Sequence, residues 1–373
     1  TMRFVLPVLL FSLLVSACNR EEPVSKTPVP AALENKTEQM PAGEAGEQQT
    51  ETERLNAWFE EKYEEQVQQS PLQLSFMGRK ERYDEVDDLS EQAEDEQLEW
   101  LRATVEEMES SFDYEKLTPE ARISWDIWKY QYEQEAAGVP FRGNQYIFTQ
   151  MQGPQSLVPV FMINFHRVDE RADMEAYVKR IGGMSRLLNQ LIDRAQKYAE
   201  NGVRPPRFSY QGVLEQASNV VSGAPFSGEE DSTIWADAQR KLAALVEGES
   251  ITAEEAEELK AETRLALIES LKPAYDRLIA WVETEIPLAD EQARGVGSHP
   301  NGEAFYNYQL ASSTTTSLTS QAVHDLGKSE VTRLRGEMEQ VMYQVGFEGD
   351  LQEFFTFMRD GDQFYFEDTD QGR

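Results

Sequence analysis

"RADMEAYVKRIGGMSRLLNQLIDRAQKYAENG", residues 171–202, decides the fold. Tyr177, Ile181, Met184, Leu188, Leu191 and Ile192 return at steps of three and four, which places them on one stripe of an α-helix. The pattern predicts a helix from Arg171 to Glu200 that stops at Asn201-Gly202, a pair suited to a left-handed C-cap. Just upstream, Asp169 is a candidate N-cap.

The same period recurs outward from this stretch. Leu55, Trp58, Phe59, Tyr63 and Val67 form an apolar stripe near the start of the patterned region. In "KLTPEARISWDIWKYQYEQE", Thr118 is a fitting N-cap and Pro119 a fitting first helical residue, with Trp125, Trp128 and Tyr132 on one face. "ITAEEAEELKAETRLALIESLKPAYDRLIAWVETEI" opens with a capping box, Thr252 with Glu255, and Pro273 is expected to kink or divide it. Strand signals are confined to "QYIFTQM" and "PVFMINF", each either a small strand or a buried loop. The class is therefore mainly α, a multi-helix array with at most a few short strands.

Length and charge bound the functions. The 373 residues suffice for a large core. With 68 acidic and 35 basic residues the formal charge is −33, a field that repels phosphate backbones and anionic headgroups, so nucleic acid is excluded as a partner. Arg3 and the 12-residue apolar run from Phe4 to Val15 read as a signal peptide, too short to span a bilayer. It ends in "LLVSAC", a lipobox-like sequence that makes Cys18, the one cysteine, the expected lipidation site and membrane anchor. Residues 1–17 are thus the expected leader. Residues 18–52, rich in Glu, Pro, Gln and Gly and free of aromatics, are an expected disordered tether. The folded domain is placed at 53–373. This arrangement puts the protein in the cell envelope, periplasm-facing, and Asn19 after the cysteine fits outer-membrane sorting.

Catalytic signatures are missing from the residue pattern. His166, His299 and His324 are the only histidines, and none belongs to a His-Glu-x-x-His helix. Asp169 and Glu170 follow His166 at metal-ligand spacing, but Asp169 suits a cap equally well. His299 sits in a turn, and His324 reads as a partly buried helix residue bonded to nearby backbone. No nucleophile elbow or phosphate loop is present.

Several blocks together resemble the bacterial family known as domain of unknown function 885. They are "GVRPPRFSYQGVLEQ" (202–216), "PAYDRLIAWV" (273–282) and "PNGEAFYNYQLASSTTTSLTSQAVHDLGKSEVTRLRGEM" (300–338), with "SPLQLSFMGRKERYDEVDDLS" (70–90) fitting the N-terminal region. The sequence departs from the family at Ser320 and His299. The resemblance implies a helical fold similar to the N-terminal part of gluzincin-type zinc metallopeptidases, in a lipoprotein setting. In complete members a His-Glu-containing motif downstream of the threonine block holds zinc. The sequence ends at "FYFEDTDQGR" before such a motif, so the chain is expected to be an N-terminal portion, inactive alone and without a cofactor of its own, zinc belonging to the complete members.

On this reading Gly302, Glu303, Tyr306, Thr314, Thr315 and Thr316 line a peptide cleft, with Tyr306 or Tyr308 as oxyanion donors. A plainer account is that the threonines satisfy a turn, with Thr319 capping the helix of residues 320–345 and Val323, Leu326, Leu334, Met338, Val341 and Val345 as its core face. Phe354, Phe355 and Phe357 are expected to form an exposed patch. Two other function classes stay open: a peptide- or partner-binding lipoprotein without catalysis, and a metal-independent hydrolase.

Overall fold

The computed structural model describes residues 49–372. The expected leader, Cys18 and the tether as far as residue 48 lie outside them. The chain divides into two compact units between Asn301 and Gly302.

The first unit is built around α6 (Arg171–Glu200). All six residues of the stripe that predicted it are buried, and Gly202 takes the left-handed conformation (φ 87°) expected past its end. The cap differs from expectation. Asp169 is not the cap: the Asp173 carboxylate, one turn inside, accepts the backbone N–H groups of Asp169 and Glu170 at 2.8 and 3.1 Å. An acid in the first turn satisfies orphan donors and also complements the helix dipole.

Five helices share the core of α6. They are α5 (Pro154–Asn164), α7 (Arg207–Val220), α8 (Thr233–Glu247), α9 (Ala253–Ala266) and α10 (Lys272–Glu285). Pro273 has the predicted effect by a specific route: α9 runs into α10 through a π-helical turn, Leu267–Leu271, which re-routes the bonding ladder ahead of the proline. A second, smaller core joins α1 (Glu51–Gln68), α3 (Glu91–Ser111) and α4 (Pro119–Gly138) through Leu55, Trp58, Met108, Leu117, Ala121 and Trp125. α2 (Pro71–Phe76) lies between α1 and the loop before α3. α1 begins ahead of the predicted boundary because Thr50 and Glu53 form a capping box.

Neither strand candidate is a strand. Residues 145–151 are irregular, and residues 159–165 fall mostly inside α5, with Pro159 in its interior. Pro159 cannot donate to the Gln155 carbonyl four residues back; the buried Tyr275 hydroxyl of α10 does so instead, at 2.7 Å. Tyr275→Phe leaves that buried carbonyl short of a donor and is expected to cost about 1–3 kcal/mol. A urea midpoint equal to that of the parent protein would rule this role out. Among the described residues the only β pairing is an isolated bridge, Ala224 with Asp231.

The second unit contains α11 (Gly302–Thr314), α12 (Ser320–Gln344) and α13 (Leu351–Asp360). Thr319 caps α12 as predicted, its hydroxyl accepting the Ala322 N–H at 3.2 Å. The predicted core face of α12 is overturned. Leu326, Leu334, Met338, Val341 and Val345 are exposed, Val323 is half-buried, and Met342 is the buried residue of this helix. Of the expected phenylalanine patch, Phe355 and Phe357 are exposed, whereas Phe354 is buried with its ring 5.1 Å from that of Phe347.

Candidate functional site

Gly302–Thr314 gathers most of the residues that sequence singles out, and non-glycine residues in the left-handed region bracket it: Asn301 at φ 55° and Thr315 at φ 52°. Asparagine tolerates that conformation; a β-branched threonine is strained there. Along α11, Glu303, Tyr306, Leu310 and Thr314 recur at three- and four-residue steps and share a face. Glu303 and Tyr306 are exposed, and Gly302 is buried. Tyr308 lies about 200° around the helix from Tyr306, so the two candidate oxyanion donors do not converge on one point.

The hydroxyl run forms a self-bonded turn. The Thr314 hydroxyl donates to the Leu310 carbonyl at 2.8 Å and lies 2.9 Å from the Thr316 hydroxyl. Thr315 donates to the carbonyl of Thr314 at 2.8 Å, and Thr316 accepts the N–H of Leu318 at 3.3 Å. These local bonds satisfy the plainer account of the run. They do not explain why an exposed threonine holds a left-handed backbone.

The histidines separate. His324 is exposed on α12 and makes no hydrogen bond among the described residues, which corrects the expectation of a partly buried, bonded side chain. His299 finds a partner far away in sequence: its Nε2 lies 2.8 Å from the Tyr146 hydroxyl, and burial lowers its pKa. His166 is 1% exposed, and both ring nitrogens are engaged. Nε2 meets the Asp173 carbonyl at 2.9 Å, and Nδ1 meets Arg180 Nη1 at 3.1 Å. The Asp169 carboxylate is turned to Lys80 at 2.8 Å instead, so the His166–Asp169–Glu170 spacing does not become a ligand set.

Two buried polar centres were not foreseen. Arg180 is fully buried in α6, and its guanidinium reaches the Glu85 and Pro71 carbonyls, Ser75 Oγ and His166. The available signal was its position between Tyr177 and Met184, a cation on the apolar stripe. Lys241 of α8 pairs with Asp237 at 2.6 Å and donates to the Met162 carbonyl at 2.7 Å; burial lowers its pKa against the pull of that carboxylate. Both centres tie helices together inside the first unit.

The block at residues 202–216 is likewise a brace. Arg204 holds Glu285 at 2.6 Å, and Arg207 holds Glu291 at 2.7 Å and the Ile286 carbonyl at 3.2 Å. Among the described residues no three His, Cys, Asp or Glu side chains are grouped to hold a metal. They therefore offer no fit for the zinc that the resemblance implies for complete family members. No described helix is long and apolar enough to cross a membrane.

Residues 71–373 match the family of bacterial proteins of unknown function DUF885. Among solved structures, the chain is similar to a "putative lipoprotein" from Colwellia psychrerythraea, with a TM-score of 0.67 at 18% identity. The match covers 87% of this chain and 56% of that one, so this chain spans little more than half the length of its neighbour. At that identity the likeness is one of fold. No curated protein matches.

Proposed function

Since the chain belongs to the DUF885 family of bacterial proteins, we propose that it forms the N-terminal part of an envelope lipoprotein that binds peptides and, in its longer form, hydrolyses them as a zinc-dependent, gluzincin-like peptidase. The lipobox-like Cys18 supports a lipid anchor, with the folded part facing the periplasm from the outer membrane. The name of the Colwellia protein agrees with that setting.

The observation that carries the peptide reading is the face of α11 that ends in Thr315, exposed at Glu303 and Tyr306 and half-buried at Leu310 and Thr314. Glu303, Tyr306, Leu310 and Thr314 offer charge, ring, apolar surface and hydroxyl along one line, as an extended peptide requires. A left-handed threonine costs on the order of 1 kcal/mol that glycine would not, and such strain collects at working sites.

Thr315→Gly separates packing from function. The variant is expected to be more stable by about 1 kcal/mol and to bind peptides less tightly. Binding is read by anisotropy with a fluorescein-labelled random hexapeptide library. Unchanged peptide affinity in the stabilised variant removes the cleft reading. Hydrolysis of the same peptides by the membrane-extracted native protein, abolished by a chelator, tests the peptidase; binding without cleavage leaves a peptide-binding lipoprotein.

A further inference from the structure

On α12 and its C-cap, Val331, Leu334, Met338, Val341 and Val345 follow one another at steps of three, four, three and four. All five are exposed, from 40% at Met338 to 66% at Val331. A strict 3-4 alternation is the narrow seam by which one helix packs lengthwise on another; a helix lying on a broad core shows a wider apolar face. A continuous stripe also differs from the isolated apolar residues normal on a soluble surface.

The two edges of the seam differ in sign. Glu330 and Glu337 flank one side, and Lys328 and Arg335 the other. Arg335 holds Glu339 only loosely, at 3.7 Å, and Lys328 has no ion pair among the described residues. A second copy of the chain is a poor occupant, because each copy carries a formal charge of −33 and the two repel.

The family match runs through α12 to residue 373, so the seam belongs to the shared fold. With 56% of the Colwellia protein covered, the remaining 44% (100 − 56) has no counterpart in this chain. We propose that the α12 seam is the docking face for a helix from that remaining part of the fold. The docking helix carries its own 3-4 seam and an acidic edge against Lys328 and Arg335, whereas Glu330 and Glu337 are already held within α12 by Arg333 at 2.7 and 2.6 Å. The proposal rests on the reading of a longer envelope polypeptide but not on its being a peptidase.

The test uses the native product in its source cells, with Leu334→Cys in the seam and Tyr343→Cys on the opposite side of α12 as reference. Maleimide labelling of the membrane-extracted protein is followed together with intact mass, and the unsubstituted protein supplies the background from any copy whose Cys18 thiol is not lipidated. The expected result is a product extending past residue 373 in which Leu334→Cys reacts at least tenfold more slowly than Tyr343→Cys. Met338→Cys is expected to behave as Leu334→Cys does, which guards against a folding defect in one variant. Equal rates overturn the proposal. So does a product ending at residue 373, or protection that is lost on dilution, which would assign the seam to a second copy. Loss of peptide hydrolysis with the seam still protected would remove the peptidase reading and leave the docking face intact.

Discussion

Arg180→Ala is expected to destabilise the first unit by about 4 kcal/mol, on the order of half the stability of a typical domain. The side chain is a hub. Nε donates to the Glu85 carbonyl at 2.9 Å, and Nη2 to Ser75 Oγ at 2.7 Å and the Pro71 carbonyl at 3.2 Å. Nη1 meets His166, and the guanidinium Cζ lies 4.6 Å from the Tyr83 ring centre. It thereby joins α6 to α2 and to the loop ahead of α3. Burial lowers its pKa to about 10, which leaves it charged at neutral pH.

Alanine removes every one of those donors and opens a cavity. Arg180→Met refills the space but leaves buried acceptors unpaired, and about 3 kcal/mol is expected. Arg180→Lys keeps the charge and loses the fork, for about 2 kcal/mol. The order Lys, Met, Ala is what urea unfolding followed by circular dichroism has to reproduce. A methionine variant as stable as the parent would mean that desolvating the cation offsets all its bonds, and the hub would then be no source of stability.

Where packing follows a strong period, the fold was legible. The stripe from Tyr177 to Ile192 placed α6 end to end, and Pro273 marked the interrupted helix, because burial of an amphipathic face dominates those segments. α5 was missed because its proline is tolerated only through Tyr275, more than a hundred residues away. α12 has the opposite history: its apolar pattern is real, yet its seam is uncovered, since a period reports that a face wants a partner and not where that partner comes from. The candidate site was partly legible. Residue types located α11 and the threonine turn, but the left-handed backbone at Thr315 and the divergence of Tyr306 from Tyr308 are properties of three-dimensional geometry. The partner of His299 was hidden in the same way, because Tyr146 precedes it by 153 residues.

Acid is expected to weaken the first unit below pH 6.5, and His166 supplies the reason. Its hydrogen bonds fix the neutral tautomer: Nε2–H donates to the Asp173 carbonyl, while Nδ1 accepts from Arg180. A proton on Nδ1 would set donor against donor. Burial, above all, holds its pKa at about 3, with the Arg180 and Lys241 cations acting in the same direction and the Asp173 carbonyl against them. The ring also stacks on Tyr83 with centres 4.3 Å apart. In the unfolded chain the same imidazole titrates near its ordinary value of 6.5. Between those values the unfolded state binds the extra proton, so stability is full above about pH 7 and falls as pH drops below 6.5, by about 1.4 kcal/mol per unit. From pH 7 to pH 5 the loss from this group approaches 2 kcal/mol. His166→Gln removes the titration, and in a His299→Asn background no second perturbed histidine contributes. Equilibrium unfolding in urea at several pH values across that window measures the slope. A wild-type stability that does not change from pH 7 to 5 would show that His166 takes up its proton inside the folded protein, and a slope that survives in His166→Gln would assign the acid sensitivity to another group.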